Sequence, residues 1–149
     1  MEWEWTVEAV IALGALVISI ISLILSAITS NKANMLTHAQ VEIQIREMIS
    51  AAKSRYIEAA CHIAEKDCNN KILQPVLNTA LEEVCNAYDE ACMKYLDKKV
   101  DIKRFKKNYY TEIKNLVENE NTKDVYANIQ TKYHATVEVY EKWNNPEKK

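Results

Sequence analysis

The uncharged stretch Ala9–Ile28, AVIALGALVISIISLILSAI, decides the fold class of this 149-residue chain. As a helix rising about 1.5 Å per residue, it is roughly 30 Å long, the thickness of a bilayer core. A cleaved secretory signal would need a basic start and a small-residue cleavage site, whereas this start is acidic. The stretch predicts a transmembrane helix at residues 9–29, preceded by an extracytoplasmic segment of residues 1–8.

The basic residues that flank the apolar stretch predict its orientation. No Lys or Arg precedes it, and Lys32, Arg46 and Lys53 follow it. Because Lys and Arg next to a membrane helix favour the cytoplasmic side, we expect the N-terminus outside and residues 30–149 in the cytosol.

Residues 30–149 have the spacing of helices. Apolar residues recur three or four positions apart, and the sequence has a single glycine, Gly14, and two prolines. The chain is therefore predicted to be all-α, with one N-terminal transmembrane helix followed by a cytosolic bundle of about four helices. The predicted bundle helices run from about Lys32 to Asp67, from Pro75 to about Lys98, from Asp101 to about Leu116, and from Thr122 to Tyr140.

Two of these helices have clear start signals. Asp101 is predicted to cap the third bundle helix, with Val100 and Phe105 placed as a hydrophobic staple. Thr122 is predicted to cap the fourth, whose apolar face would include Tyr126, Ile129, Tyr133, Val137 and Tyr140.

The four cysteines form two pairs with a spacing of seven residues, Cys61 with Cys68 and Cys85 with Cys92. On a helix this spacing puts two thiols on one face about 10.5 Å apart, too far for a single zinc ion with bonds of about 2.3 Å. We expect small buried thiols in helix-packing faces and a reducing compartment, and we expect no metal or cofactor.

Small and polar residues form a stripe along the predicted transmembrane helix. They alternate in steps of four and three, and they are Glu8, Ala12, Ala15, Ser19, Ser22, Ser26 and Thr29. Lipid offers no partner to such a stripe, whereas another membrane helix does. Because one chain has one such helix, the stripe predicts association with other copies, that is, a homo-oligomer. Two interpretations remain: the stripe packs copies tightly, or it lines a narrow wet path whose mouth carries a ring of Glu8 carboxylates that favours cations.

A basic and aromatic segment lies between Lys94 and Lys107, with seven basic and two acidic residues. Positive charge attracts phosphates, and aromatic faces can stack bases. The segment is a candidate site for a nucleotide or oligonucleotide, or for lipid headgroups; the alternative is a solvated charged face with its aromatic side chains in the core. The candidate ligand residues are Lys98, Lys99, Lys103, Arg104, Lys106, Lys107 and Tyr110.

Features of an enzyme are not recognisable in the sequence. The only glycine lies in the apolar stretch, so no glycine-rich phosphate loop is present, and His38, His62 and His134 are scattered. We therefore expect no catalytic residue.

The stretch LEEVCNAYDEAC at residues 81–92, followed by DIKRF at residues 101–105, resembles membrane effectors of bacterial anti-phage defence, most closely those of the Hailong system. The layout of one span, a long following helix and a small helical domain is also similar. The resemblance implies a homotetrameric ion channel in the bacterial inner membrane. It also implies control by a nucleic-acid oligomer from a partner nucleotidyltransferase, with channel opening depolarising the membrane in abortive infection.

Two functions remain open at this point. The first is an oligomeric pore gated by an anionic ligand. The second is a membrane-tethered helical adaptor whose bundle docks another protein and whose span only anchors it.

Overall fold

The computed structural model describes residues 6–65, 73–120, 122–127 and 131–145. Its helices confirm the all-α prediction, and the described residues include no strand. The helices are α1 Val7–Glu65, α2 Leu73–Leu96, α3 Ile102–Glu118, α4 Lys123–Ala127 and α5 His134–Asn144.

The chain divides into two compact units, Met1–Thr37 and His38–Lys149. In the first unit, α1 exposes its apolar side chains, including Ile18 at 66% and Leu23 at 71%. The most apolar 18-residue window of the helix has a mean hydropathy of 2.7. By length and composition, α1 is a helix that could cross a membrane.

The second unit buries one face of each of its longer helices in a common core. On α1, Ile45, Ile49 and Ala52 are buried and Val41 and Tyr56 pack beside them, at the three- and four-residue spacing that predicted a helix here. The other helices contribute the following buried side chains: Val84, Ala87, Tyr88, Ala91, Cys92, Tyr95, Phe105, Ile113, Ala135 and Val139.

The start of α3 confirms the capping prediction. The Asp101 carboxylate accepts a hydrogen bond from the backbone N–H of Arg104 at 2.8 Å. This bond holds the pKa of Asp101 below its usual value, so the cap is charged at neutral pH. Val100 and Phe105, the predicted staple, are both 1% exposed.

The prediction of one helix from Thr122 to Tyr140 was wrong, because the chain there forms two helices, α4 and α5, with Thr131–Tyr133 outside either helix. The Asp89 carboxylate on α2 accepts hydrogen bonds from the backbone N–H of Thr136 at 2.8 Å and from its hydroxyl at 3.0 Å. This tertiary cap fixes a new helix start. Ile129 lies outside the described residues.

Thr122 lies directly before α4, as predicted, but its hydroxyl forms hydrogen bonds with the preceding helix, α3. It donates to the carbonyl oxygens of Leu116 and Asn119 at the end of α3. Thr122 is 5% exposed. It therefore stabilises the end of α3.

The cysteine prediction holds for one of its two pairs. Cys85 and Cys92 are buried, and burial raises the pKa of the Cys92 thiol to about 12. Cys61 is exposed, so the expectation of burial was wrong there. Cys68 lies outside the described residues.

Candidate anion-binding surface

One face of α3 is cationic because the opposite face belongs to the core. Phe105 and Ile113 are buried. Lys103, Lys106 and Lys107 are all exposed on the same helix. Three of the predicted ligand residues therefore share one face, and Tyr110 lies one turn further along it.

The C-terminal end of α5 supplies an aromatic wall to this face. The Lys106 ammonium lies 5.8 Å from the ring centroid of Tyr110 and 5.7 Å from that of Trp143. The two rings are 5.9 Å apart and inclined by 37°. We call Lys103, Lys106, Lys107, Tyr110 and Trp143 the α3–α5 surface.

Hydrogen bonds fix the aromatic part of this surface. The Tyr110 hydroxyl donates to the Asn144 side-chain oxygen at 2.8 Å, and the Asn144 amide donates to the Tyr140 carbonyl at 2.9 Å. The Trp143 indole N–H donates to the Tyr95 hydroxyl at 3.0 Å. Both rings are only partly buried, so the surface presents aromatic rings held in place beside ammonium groups.

Trp143 and its neighbour Lys142, whose ammonium lies 5.8 Å from the Tyr95 ring centroid, were not among the residues predicted from the sequence. The adjacent Lys142 and Trp143 were the signal in the sequence that could have pointed to this part of the site. Its partner Tyr110 is 33 positions away, and that distance is closed only by the packing of α5 against α3.

The remaining predicted ligand residues lie at other places. Lys99 pairs with Asp97 at 3.0 Å, and Lys98 is exposed in the turn after α2. Arg104 turns toward α1 and pairs with Glu42 at 2.8 Å. The structure thus divides the seven predicted residues between the α3–α5 surface, the turn and the contact of α3 with α1.

Unpaired positive charge is concentrated on α3. Lys103 and Lys107 form no ion pair with any residue in the described ranges, and Lys98 forms none either. Lysines without ion-pair partners, on the same helix as Lys106 with its two neighbouring rings, suit an anion that carries a flat ring.

A polar network also lies where α1, α2 and α3 meet. The Glu112 carboxylate accepts from Lys53 at 2.9 Å and from the Tyr88 hydroxyl. Burial raises the pKa of Glu112, but these two bonds outweigh it and leave the pKa below its usual value. The acid is therefore ionised at neutral pH, and the group is a satisfied structural network beside a cavity of about 360 Å³.

The described ranges contain no group of three His, Cys, Asp or Glu side chains placed to hold a metal ion.

The predicted pore-lining residues lie in the first unit, and all are exposed: Glu8, Ala12, Ala15, Ser19, Ser22 and Ser26. The Ser19 hydroxyl donates to the Ala15 carbonyl at 2.9 Å, as Thr29 does to Leu25. Each of these hydroxyls donates its hydrogen bond within its own helix. Its oxygen can still accept a hydrogen bond or contact a cation.

Comparisons with protein-family models, with curated proteins and with solved structures found no match.

Proposed function

We propose that this protein is an oligomeric membrane effector that forms an ion-conducting pore and is gated by an anionic nucleotide or oligonucleotide. The observation that carries the proposal is the α3–α5 surface, where the Lys106 ammonium lies beside the rings of Tyr110 and Trp143 and where Lys103 and Lys107 are exposed on the same helix. Ammonium groups suit phosphates, and partly exposed rings suit bases. The setting we propose is anti-phage defence in a bacterial inner membrane, with the ligand made by a partner nucleotidyltransferase.

Assembly of several copies is supported by a second stripe on α1. On the side opposite the core, the residues at alternating steps of three and four are all exposed: Gln40, Ile43, Glu47, Ser50, Ser54, Ile57 and Cys61. The steps continue in register, through Ala33 and Leu36, those of the stripe from Glu8 to Thr29. A heptad pattern without an internal partner suits parallel association of copies through α1, and we propose a homotetramer.

The conducting path in this proposal is lined by the serine stripe. Ser19, Ser22 and Ser26 offer hydroxyl oxygens to water and cations, and Glu8 places a ring of carboxylates at the outer mouth. The remaining side chains of residues 10–25 are mostly large and aliphatic and suit the lipid side.

The test uses the full-length protein in liposomes loaded with a potassium-sensitive dye. A short single-stranded DNA oligonucleotide is added on the side of the C-terminal domain, and potassium flux is measured. We expect the oligonucleotide to change the flux of the wild type. Lys103→Glu/Lys107→Glu should abolish that change and keep the basal flux, and Ser19→Leu/Ser22→Leu should abolish the flux itself.

The matched control is Lys123→Glu/Lys132→Glu, which makes the same change of charge outside the α3–α5 surface and should respond as the wild type does. Flux that is equal for wild type and the serine variant would contradict the pore. Absence of flux from every reconstituted protein, with or without oligonucleotide, would favour the tethered adaptor.

A further inference from the structure

The contact between Glu42 on α1 and Arg104 on α3 has the geometry of a fork. The Arg104 Nε lies 2.8 Å from Glu42 Oε2, and its terminal nitrogen donates to Oε1 at 2.9 Å. The same Oε1 accepts from the backbone N–H of Asp101 at 3.2 Å. The Glu42 carboxylate thus accepts hydrogen bonds from both the Arg104 guanidinium and the backbone at the N-terminal end of α3.

The groups that this carboxylate contacts are of the kind that bind phosphate. Guanidinium groups and helix N-termini both bind phosphate oxygens, with the planar fork matching phosphate as well as carboxylate. Lys103, whose ammonium forms no ion pair among the described residues, is next to Arg104 in the same helical turn. The Arg104 side chain is 54% exposed, so a ligand can reach it, whereas that of Glu42 is 16% exposed.

Glu42 has a second possible partner on its own helix. Arg46 lies four residues toward the C-terminus, the favourable order for an acid–base pair on a helix. Arg46 now interacts with the hydroxyl of Tyr109. A carboxylate that leaves Arg104 can therefore pair with Arg46, which gives the contact two alternative arrangements.

Within the second unit, α1 contacts α2 and α3 through a few buried side chains and through ion pairs. Its buried contribution is the narrow ridge Ile45, Ile49 and Ala52. An open groove of about 550 Å³ borders this ridge on the α3 side, and one of about 340 Å³ borders it on the α2 side. The described ion pairs across these borders are Glu42–Arg104, Lys53–Glu112 and Arg55–Glu83.

We propose that the Glu42–Arg104 pair is a latch that the anionic ligand opens. A phosphate on Arg104 displaces the Glu42 carboxylate, Glu42 pairs with Arg46, and α1 is released from the start of α3. This inference rests on the proposed function, since it names how ligand binding at α3 is transmitted to α1, the helix that also contains the apolar segment. In this mechanism Glu42 is a competitor of the ligand and its removal strengthens binding.

The experiment measures the affinity of the full-length protein in detergent for a fluorescent single-stranded DNA oligonucleotide. Glu42→Gln should bind about threefold more tightly than the wild type, the fold-change expected from the loss of one competing exposed ion pair. The matched control is Glu90→Gln, which removes the same charge and breaks the Lys94–Glu90 pair of 2.7 Å on α2. The control should bind as the wild type does.

A second measurement follows hydrogen exchange of α1 between residues 38 and 50. The oligonucleotide should speed exchange there in the wild type, and Glu42→Gln should exchange fast without it. Unchanged or weaker binding by Glu42→Gln, or no ligand effect on wild-type exchange, would overturn the latch. The variant Lys103→Glu/Lys107→Glu distinguishes failure of the latch from failure of the proposed ligand site. If this variant binds the oligonucleotide as tightly as the wild type does, the proposed ligand site itself is overturned.

Discussion

Lys98 is the described non-glycine residue with a positive φ, at 57°. It ends α2 in a hydrogen-bond pattern that usually contains glycine at this position: its N–H donates to the Tyr95 carbonyl at 3.1 Å, and the N–H of Lys99 donates to the Lys94 carbonyl at 2.9 Å. A side chain with a β-carbon is strained in the left-handed region.

Replacing this lysine tests the strain. Lys98→Gly should raise the free energy of unfolding by about 0.5–1 kcal/mol, because glycine adopts this conformation without a steric penalty. Urea denaturation of the full chain in detergent measures the change. Lys99→Gly is the control, since Lys99 does not have positive φ, and it should not stabilise. A destabilised Lys98→Gly would show that the lysine side chain contributes more than its backbone strain costs.

Among the helices, α5 depends on a side chain that is remote in sequence. Tyr133 is at the N-cap position but its side chain makes no capping hydrogen bond. Asp89 on α2 provides the acceptor for Thr136 instead. The same hydrogen bonds therefore both cap the start of α5 and hold it against α2.

Removing this acceptor should loosen α5 specifically. We expect Asp89→Ala to lower the free energy of unfolding by about 1–2 kcal/mol, since it removes a charged cap from a partly buried backbone N–H. Hydrogen exchange of α5 should accelerate more than that of α3. Asp124→Ala in the exposed first turn of α4 is the control. Equal acceleration in α3 and α5 would contradict a local cap and indicate general destabilisation.

The difference between α3 and α5 explains how far the sequence could predict the fold. The start of α3 was predictable because its cap, Asp101, and its staple residues, Val100 and Phe105, are all within a few residues of the helix start. The start of α5 was not, because its cap comes from Asp89, 47 residues away.

The same reason limited prediction of the candidate site. Spacing on α3 was enough to group Lys103, Lys106 and Lys107. It could not reveal Trp143, which reaches Lys106 through tertiary packing. Nor could it reveal that Arg104 leaves this group to pair with Glu42 on α1.

For the whole molecule, the two faces of α1 in the second unit have different chemistry. The face toward the core buries Ile45, Ile49 and Ala52. The opposite face exposes Ile43 at 57% and Ile57 at 59%, and Cys61 lies on the same stripe. Exposed isoleucines at heptad spacing are costly in water and favour association with other copies.

Parallel association through this stripe would bring Cys61 of one copy close to Cys61 of another. Copper phenanthroline added to membranes that contain the wild type should therefore give disulfide-linked dimers on a non-reducing gel, because disulfides form only between α-carbons about 4.4–6.8 Å apart. Ile43→Glu/Ile57→Glu should abolish the dimers, since carboxylates would face each other at the contact. Cys61→Ser/Met93→Cys moves the thiol to an exposed position on α2 and should not crosslink. If the α2 thiol crosslinked as efficiently as Cys61, the dimers would reflect random collision, and the proposed assembly through α1 would be contradicted.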